Sequence, residues 1–412
     1  MSCVILLVII TFTIPSSFYA QQTPQANSRQ TRAASNQVLH RVPFEFYGGH
    51  IYFRVRVNGS EPHWFLLDSG APDAYISTEL AQAVGLRLQG SLGITGTGTG
   101  RIRAAYVRDV TYNISGAEFT DGRSVAAPSQ EFFHPLENSF GRSFHGILGY
   151  DFLNSFVVEI DYANQIINLY DPANYRYTGS GEIIPIRLND KKPYVNATLT
   201  PLEGSPIPSN IHLDIGYGGT LSLNGKFVAA NNLIQSAGTT IETFRRGAGG
   251  ETAARIGRVR SLQLGRFTIA NPTASFSLVQ GRGVRSDSSG SVGGQFLQRF
   301  KVTLDYSRKQ MILEPNANFS EPFEADMSGI SLVAERPDFR IVTVYRLVRN
   351  SPATEAGVRE GDIILSVDGT PAPELTLERI RQMFRREGQE RLLSVRRGED
   401  MLQIRIRLRR LI

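Results

Sequence analysis

Phe65-Leu66-Leu67-Asp68-Ser69-Gly70-Ala71 and Ile211-His212-Leu213-Asp214-Ile215-Gly216-Tyr217 are two copies of one pattern: an apolar run, an aspartate, one further residue and a glycine. Each copy is followed at nearly the same distance by a second matched stretch. These are Gly146-Ile147-Leu148-Gly149-Tyr150-Asp151-Phe152-Leu153 and Gly290-Ser291-Val292-Gly293-Gly294-Gln295-Phe296-Leu297. Asp214 lies 146 residues after Asp68. Asp305, in Val302-Thr303-Leu304-Asp305-Tyr306, lies 144 after Asp161, in Val158-Glu159-Ile160-Asp161-Tyr162. So steady an offset implies a duplicated lobe, with each half offering one carboxylate to a shared site.

Outward from these motifs the chain reads as short strands broken by Gly, Asn and Asp. His50–Val57 followed by Asn58-Gly59 predicts a strand entering a tight turn. Trp64–Leu67 predicts a strand that ends at Asp68. Thr78–Gly85 predicts a short helix with a glycine stop. Gly93–Gly100 is a Gly/Thr hairpin, and Phe152–Tyr170 predicts a turn of helix and a β-hairpin. Residues 182–315 repeat the plan. Residues 316–328 read as a linker, and a third unit follows. In it strands are expected at Gly329–Val333 and Ile341–Tyr345, and a helix at Leu377–Arg386 with Leu377, Ile380 and Phe384 on one face. Arg405, Arg407 and Arg409 alternate with Ile404, Ile406 and Leu408, the period of a half-buried strand.

The chain has 412 residues, enough for two or three domains, and 41% hydrophobic and 20% charged residues, an ordinary globular balance. A formal charge of +6 is modest, and nucleic acid is not an expected partner. The single cysteine, Cys3, lies in an apolar N-terminal stretch, which leaves no thiol nucleophile or disulfide framework elsewhere. The six histidines show no His-x-x-x-His pairing, so no metal site and no cofactor are expected. Gly96-Thr97-Gly98-Thr99-Gly100 lacks the Lys-Ser/Thr of a phosphate loop. His212 shares a strand face with Asp214; it reads more readily as a packed surface histidine than as a modulator of that carboxyl.

Paired carboxylates can activate water. Two such groups about 3 Å apart share one proton. The charged member takes a proton from water and the neutral one donates to a carbonyl. Glycine after each aspartate permits close approach of the lobes. Ser69, between Asp68 and Gly70, is expected to hold the adjacent carboxylate.

Leu-Leu-Asp-Ser-Gly-Ala at 66–71, combined with Gly-Ile-Leu-Gly at 146–149, resembles the lobe of the aspartic proteases. The short lobes are similar to the retropepsin-like members, here fused in tandem over residues 42–315. The resemblance implies Asp68 and Asp214 as the catalytic pair, Ser69, Gly70, Ile215 and Gly216 as supports of the catalytic loops, and Gly96, Thr97 and Gly98 as the flap that closes over a bound peptide. The second lobe departs from the pattern: Ile215 stands where Ser or Thr is usual, and Gly293-Gly294 is looser than an apolar pair before glycine. Asn350-Ser351-Pro352 through Val367-Asp368-Gly369 resembles the central pattern of a PDZ domain of the bacterial protease-associated kind. That resemblance implies a peptide site near Gly329, Ile330, Ser331 and Leu332, where backbone N–H groups receive a peptide C-terminus.

The expected fold is mainly β: a two-lobed acid-protease β-barrel with a C-terminal α+β PDZ domain. The expected divisions are a signal peptide (1–20), a flexible linker (21–41), lobe 1 (42–178), lobe 2 (179–316) and the PDZ domain (326–412). The first segment implies export to periplasm, cell envelope or medium, with an uncleaved membrane anchor as the alternative. The expected activity is hydrolysis of peptide bonds in peptide or protein substrates, with peptide tails as PDZ partners. The competing expectation is a non-catalytic peptide-binding envelope scaffold whose second lobe has decayed.

Overall fold

The computed structural model describes residues 37–96, 98, 100–279 and 288–412. The signal segment and most of the expected linker lie outside the described residues. The fold is mainly β, as expected.

The lobes meet in one six-stranded sheet to which both contribute. Its order is His40–Pro43, Ile166–Tyr170, Val157–Asp161, Phe300–Asp305, Gln310–Pro315, Glu182–Pro185. At its centre Val157–Asp161 runs antiparallel to Phe300–Asp305, with Val158 opposite Leu304, Glu159 opposite Thr303 and Ile160 opposite Val302. At the offset of 144, Glu159 is thus paired with its own counterpart. A pseudo-twofold axis passes between these two residues. Val158, Ile160, Val302 and Leu304 are all buried, so the axis runs through a packed core.

Each lobe adds a second sheet of matching topology. In lobe 1 the central order is His50–Val57, His63–Leu67, Gly146–Leu148, Tyr75–Ser77, Ala117–Ala127. In lobe 2 it is Lys192–Thr200, Ile207–Leu213, Gly290–Val292, Leu221–Leu223, Thr273–Ser277. The strand that ends at each aspartate lies parallel to its matched glycine-led strand: Leu67 opposite Leu148, and Leu213 opposite Val292. These short strands read as continuous apolar runs because both faces are covered.

Local chemistry explains the elements. Along His50–Val57 the arginines at 54 and 56 face water while Phe53, Val55 and Val57 are buried. Asn58 and Gly59 then take positive φ (49° and 76°), the geometry that an Asn-Gly hairpin turn requires. Ser77 caps the helix Thr78–Ala83 by accepting from Leu80 N–H.

Most core residues between Val42 and Phe323 form one large cluster spanning both lobes, supplemented in lobe 1 by a smaller group around Tyr52 and Phe144, and those from Met327 to Leu408 form a second cluster. The second cluster is sealed by a sheet in the order Ile330–Glu335, Ile341–Leu347, Ile363–Val367, Glu390–Arg397, Asp400–Arg407. Leu377, Ile380 and Phe384, the face expected from the sequence, are all buried beneath helix Leu377–Met383.

Candidate active site

Each aspartate begins a tight turn built by the same hydrogen bonds. Asp68 N–H donates to Leu148 O and Asp214 N–H to Val292 O, both at 2.9 Å. Ala71 N–H returns to Asp68 O at 3.1 Å and Tyr217 N–H to Asp214 O at 3.0 Å. The two turns face one another across the axis. A Cβ placed on Gly70 would sit 3.0 Å from Asp68 Oδ1 and 3.1 Å from Asp214 Oδ1; one on Gly216 would sit 2.2 Å from Asp68 Cγ. Only glycine leaves room for both carboxyls at this point.

Gly70 N–H donates to Asp68 Oδ1 at 2.7 Å, and the Asp68 and Asp214 carboxyls flank that glycine from opposite turns. Burial, with the Asp214 charge beside it, pushes the Asp68 carboxyl up to about 7. Burial also raises Asp214, while the positive charges of Lys192 and Arg245 pull it back. The arrangement that follows is one shared proton held on Asp68 beside an ionised Asp214.

Ser69 does something other than hold its neighbouring carboxylate. It is fully buried, and its Oγ donates to Leu213 O at 2.6 Å and accepts Ile215 N–H at 2.9 Å. One hydroxyl therefore stitches the first loop to the backbone of the second. Ile215, which lacks a hydroxyl to return the favour, packs its side chain into the common core instead.

The loose Gly293-Gly294 pair has a packing reason. A Cβ on Gly293 would lie 2.1 Å from Tyr217 O, and one on Gly294 would lie 1.8 Å from Gly49 O. The Gly48-Gly49 turn of lobe 1 (φ 60° and 85°) is seated there. Its counterpart in lobe 2, Asp190-Lys191 (φ 45° and 65°), sits against a larger residue at the equivalent place. Lys191 Nζ lies 5.2 Å from the Tyr150 ring and pairs with Asp73 at 3.2 Å.

Two hairpins, the second carrying the Arg245 whose charge acts on Asp214, meet at their tips. The first joins Gln89–Ile94 to Ile102–Ile114 and carries Gly96 and Gly98; Thr97, the third flap residue expected, lies outside the described residues. The second joins Ile241–Gly247 to Gly250–Arg258. The tips meet: Gly98 N–H donates to Ala248 O at 3.1 Å and Gly100 N–H to Gly249 O at 2.7 Å. A Cβ on Gly98 would lie 2.1 Å from Gly249 C, so glycine is what permits the contact. The second hairpin escaped the sequence reading, although Gly247-Ala248-Gly249-Gly250 carried the signal of a tight glycine-rich tip.

His212 is buried, not a surface residue. Its ring packs 5.1 Å from Tyr194 and its Nδ1 lies 3.7 Å from Asp214 Oδ2. Burial first, then the charge of Lys192, pushes it down to about 3, so it is neutral beside the pair. Lys192 and Arg245 were also missed, because charge acting across a cleft leaves no local pattern in sequence.

In the C-terminal unit, Gly329 has φ 79° and its N–H is already taken. Asp326 Oδ1 accepts from Ser328 N–H (2.9 Å) and Gly329 N–H (2.7 Å), and Ser328 Oγ accepts from Ile330 N–H (3.0 Å). Ser331 and Leu332 lie on the edge strand Ile330–Glu335, Ser331 exposed and Leu332 buried. Two of the donors expected to receive a peptide C-terminus are thus taken within the chain, Gly329 N–H by the Asp326 carboxylate and Ile330 N–H by the Ser328 hydroxyl.

Residues 53–152 match the family model for aspartyl proteases, and residues 343–397 match that for the PDZ domain. No curated protein matches the chain. The first match covers Asp68 and its supporting strand; the second covers the Ser351–Gly369 stretch singled out in the sequence. The chain therefore carries an aspartyl protease domain, followed by a PDZ domain of the kind that binds peptides.

Proposed function

We propose that this chain is an aspartic endopeptidase with Asp68 and Asp214 as its catalytic pair. The observation that supports this reading is the approach of the two carboxyls on either side of Gly70 at a pseudo-twofold axis, with the proton on Asp68 held up to about 7. Ionised Asp214 takes a proton from a water poised between the carboxyls as its oxygen bonds to the scissile carbonyl carbon. Asp68 gives its proton to the carbonyl oxygen, and a tetrahedral diol forms with no covalent enzyme intermediate. Proton transfer from Asp214 to the amide nitrogen then lets the C–N bond break, releasing acid and amine. A diol proton returns to Asp68, which restores the pair. The buried, neutral His212 takes no proton in this scheme.

The test uses the full chain and an unfolded protein substrate from acid to neutral pH. Asp68→Asn and Asp214→Asn should each reduce turnover by roughly 10²-fold or more. Equal turnover by wild type and both variants would remove the pair from the chemistry. Binding of peptide with no turnover at any pH would support the non-catalytic scaffold instead.

Export is also proposed. It is supported by the apolar run Val4–Ile10 and the small residue Ala20 that follows it. Expression of the intact chain followed by fractionation tests it: recovery only with cytosol counts against export.

A further inference from the structure

We propose that the PDZ domain is an internal clamp on the protease lobes, its ligand groove held by helix His134–Phe140 of lobe 1, and that a peptide segment competing for that groove loosens the hairpin over the aspartates.

Among the described residues, strand Ile330–Glu335 lies at the edge of its sheet and pairs only with Ile341–Leu347. Such an edge, beside a helix, is where an extended peptide adds as another strand. Here helix His134–Phe140 packs against it. Arg381, on the opposing helix Leu377–Met383, donates to Leu332 O at 2.9 Å and to Ser139 O at 2.8 Å. One guanidinium thus ties together the edge strand, the PDZ helix and the protease lobe. It also takes the edge carbonyl that an incoming peptide would need. Farther along, Arg336 pairs with the buried carboxylate of Glu137. At the helix N-terminus Glu378 N–H donates to Tyr47 Oη at 3.2 Å, and a Cβ on Gly141 would meet Leu377 Cβ at 2.6 Å.

The same domain grips lobe 2 through the neighbouring strand. The Arg246 guanidinium lies 4.2 Å over the Tyr345 ring, Arg346 lies 5.6 Å over Phe244, and Arg349 pairs with Glu242 at 3.7 Å. Glu242, Phe244 and Arg246 all belong to Ile241–Gly247, the strand that leads to the Ala248-Gly249 tip. The strand holding the hairpin and the strand lining the groove are adjacent in one sheet. Ligand at one therefore bears on the other. Apart from the Gly141–Leu377 contact, the contacts named are polar or place a guanidinium on a ring, the composition of an interface that opens reversibly. Because the loop donors Gly329 N–H and Ile330 N–H are taken by Asp326 and Ser328, the competing ligand is an internal peptide segment that needs no free C-terminal carboxylate.

The turnover readout rests on the proposed protease reading; hydrogen exchange does not. The first arm is the full-length variant Arg336→Ala/Tyr345→Ala, two side chains outside the PDZ core. The second is wild type with a nine-residue peptide copying residues 134–142, as free acid and as amide. In both arms, amides of 134–140 and 241–250 should exchange at least roughly threefold faster, with 363–367 unchanged as a control for an intact PDZ fold. Turnover of an unfolded protein should rise by a similar factor, and acid and amide peptides should act alike. Unchanged exchange at 241–250 in both arms, or action by the free acid alone, would overturn the clamp. Faster exchange without turnover by any form would leave the clamp standing and remove the protease reading.

Discussion

At Asp68 the raised proton affinity has a thermodynamic consequence. Burial and the neighbouring carboxylate make the folded protein hold a proton at Asp68 up to about pH 7, whereas the unfolded chain releases it near the ordinary carboxyl value of 3.8. Folding therefore binds a proton between those values. The stabilisation is complete below about pH 4 and is lost as pH rises toward 7, by on the order of 2–4 kcal/mol. Urea unfolding from pH 4 to 8 should show this loss in wild type and a flatter profile in Asp68→Asn; parallel profiles would mean that the site does not perturb Asp68. The same proton sets the alkaline limb of activity, expected to fall through about pH 7. Ser69 makes a separate prediction. Ser69→Ala strands two buried backbone groups, Leu213 O and Ile215 N–H, and should cost about 2–4 kcal/mol in urea unfolding. A loss below 0.5 kcal/mol would show that the stitch between the loops is dispensable.

Among elements, the catalytic turns and the Gly48-Gly49 hairpin share one close-packed junction. Gly294→Ala pushes a methyl group onto Gly49 O, which is backbone and cannot rotate away. The variant should lose more than about 2 kcal/mol and show turnover reduced with the fold retained; wild-type stability would mean that the junction has slack. This junction also marks where sequence reasoning stopped. The duplicated Asp-x-Gly turns, the Asn58-Gly59 hairpin and the amphipathic PDZ helix were legible because each is fixed by local rules: period, capping and positive φ. Gly293-Gly294 looked like decay, since the oxygen that demands glycine comes from a turn some 245 residues earlier. His212 looked like a surface residue for the same reason: its burial comes from Tyr194 and the catalytic loops, which only the fold brings to it. Helix His134–Phe140 had no reading of its own. It follows directly on a π-helical turn at Ser129–Phe133 that has no side-chain capping hydrogen bond. Helix Leu377–Met383 ends three residues before the expected Arg386, where the chain turns toward strand Glu390–Arg397.

For the whole molecule, sharing a sheet across the axis makes the two lobes inseparable in a way that the PDZ domain is not. Three strands of each lobe lie side by side in that sheet, and the largest buried cluster runs from Val42 to Phe323 through both lobes, so the main core belongs to neither lobe alone. Met327 to Leu408 close their own core, joined to the lobes by side-chain contacts and a short connection. Unfolding should therefore occur in two steps, the lobes as one cooperative unit and the PDZ domain as another. Leu393→Ala, a fully buried PDZ position, should lower the PDZ step by about 2–5 kcal/mol and leave the lobe step in place. Ile160→Ala, beside the axis, should lower protection in both lobes together, read by hydrogen exchange at 65–67 and at 211–213. Loss confined to lobe 1 would mean that the halves fold independently. Equal loss in lobes and PDZ domain from Leu393→Ala would mean that the contacts at Arg381 and Arg246 weld three units into one.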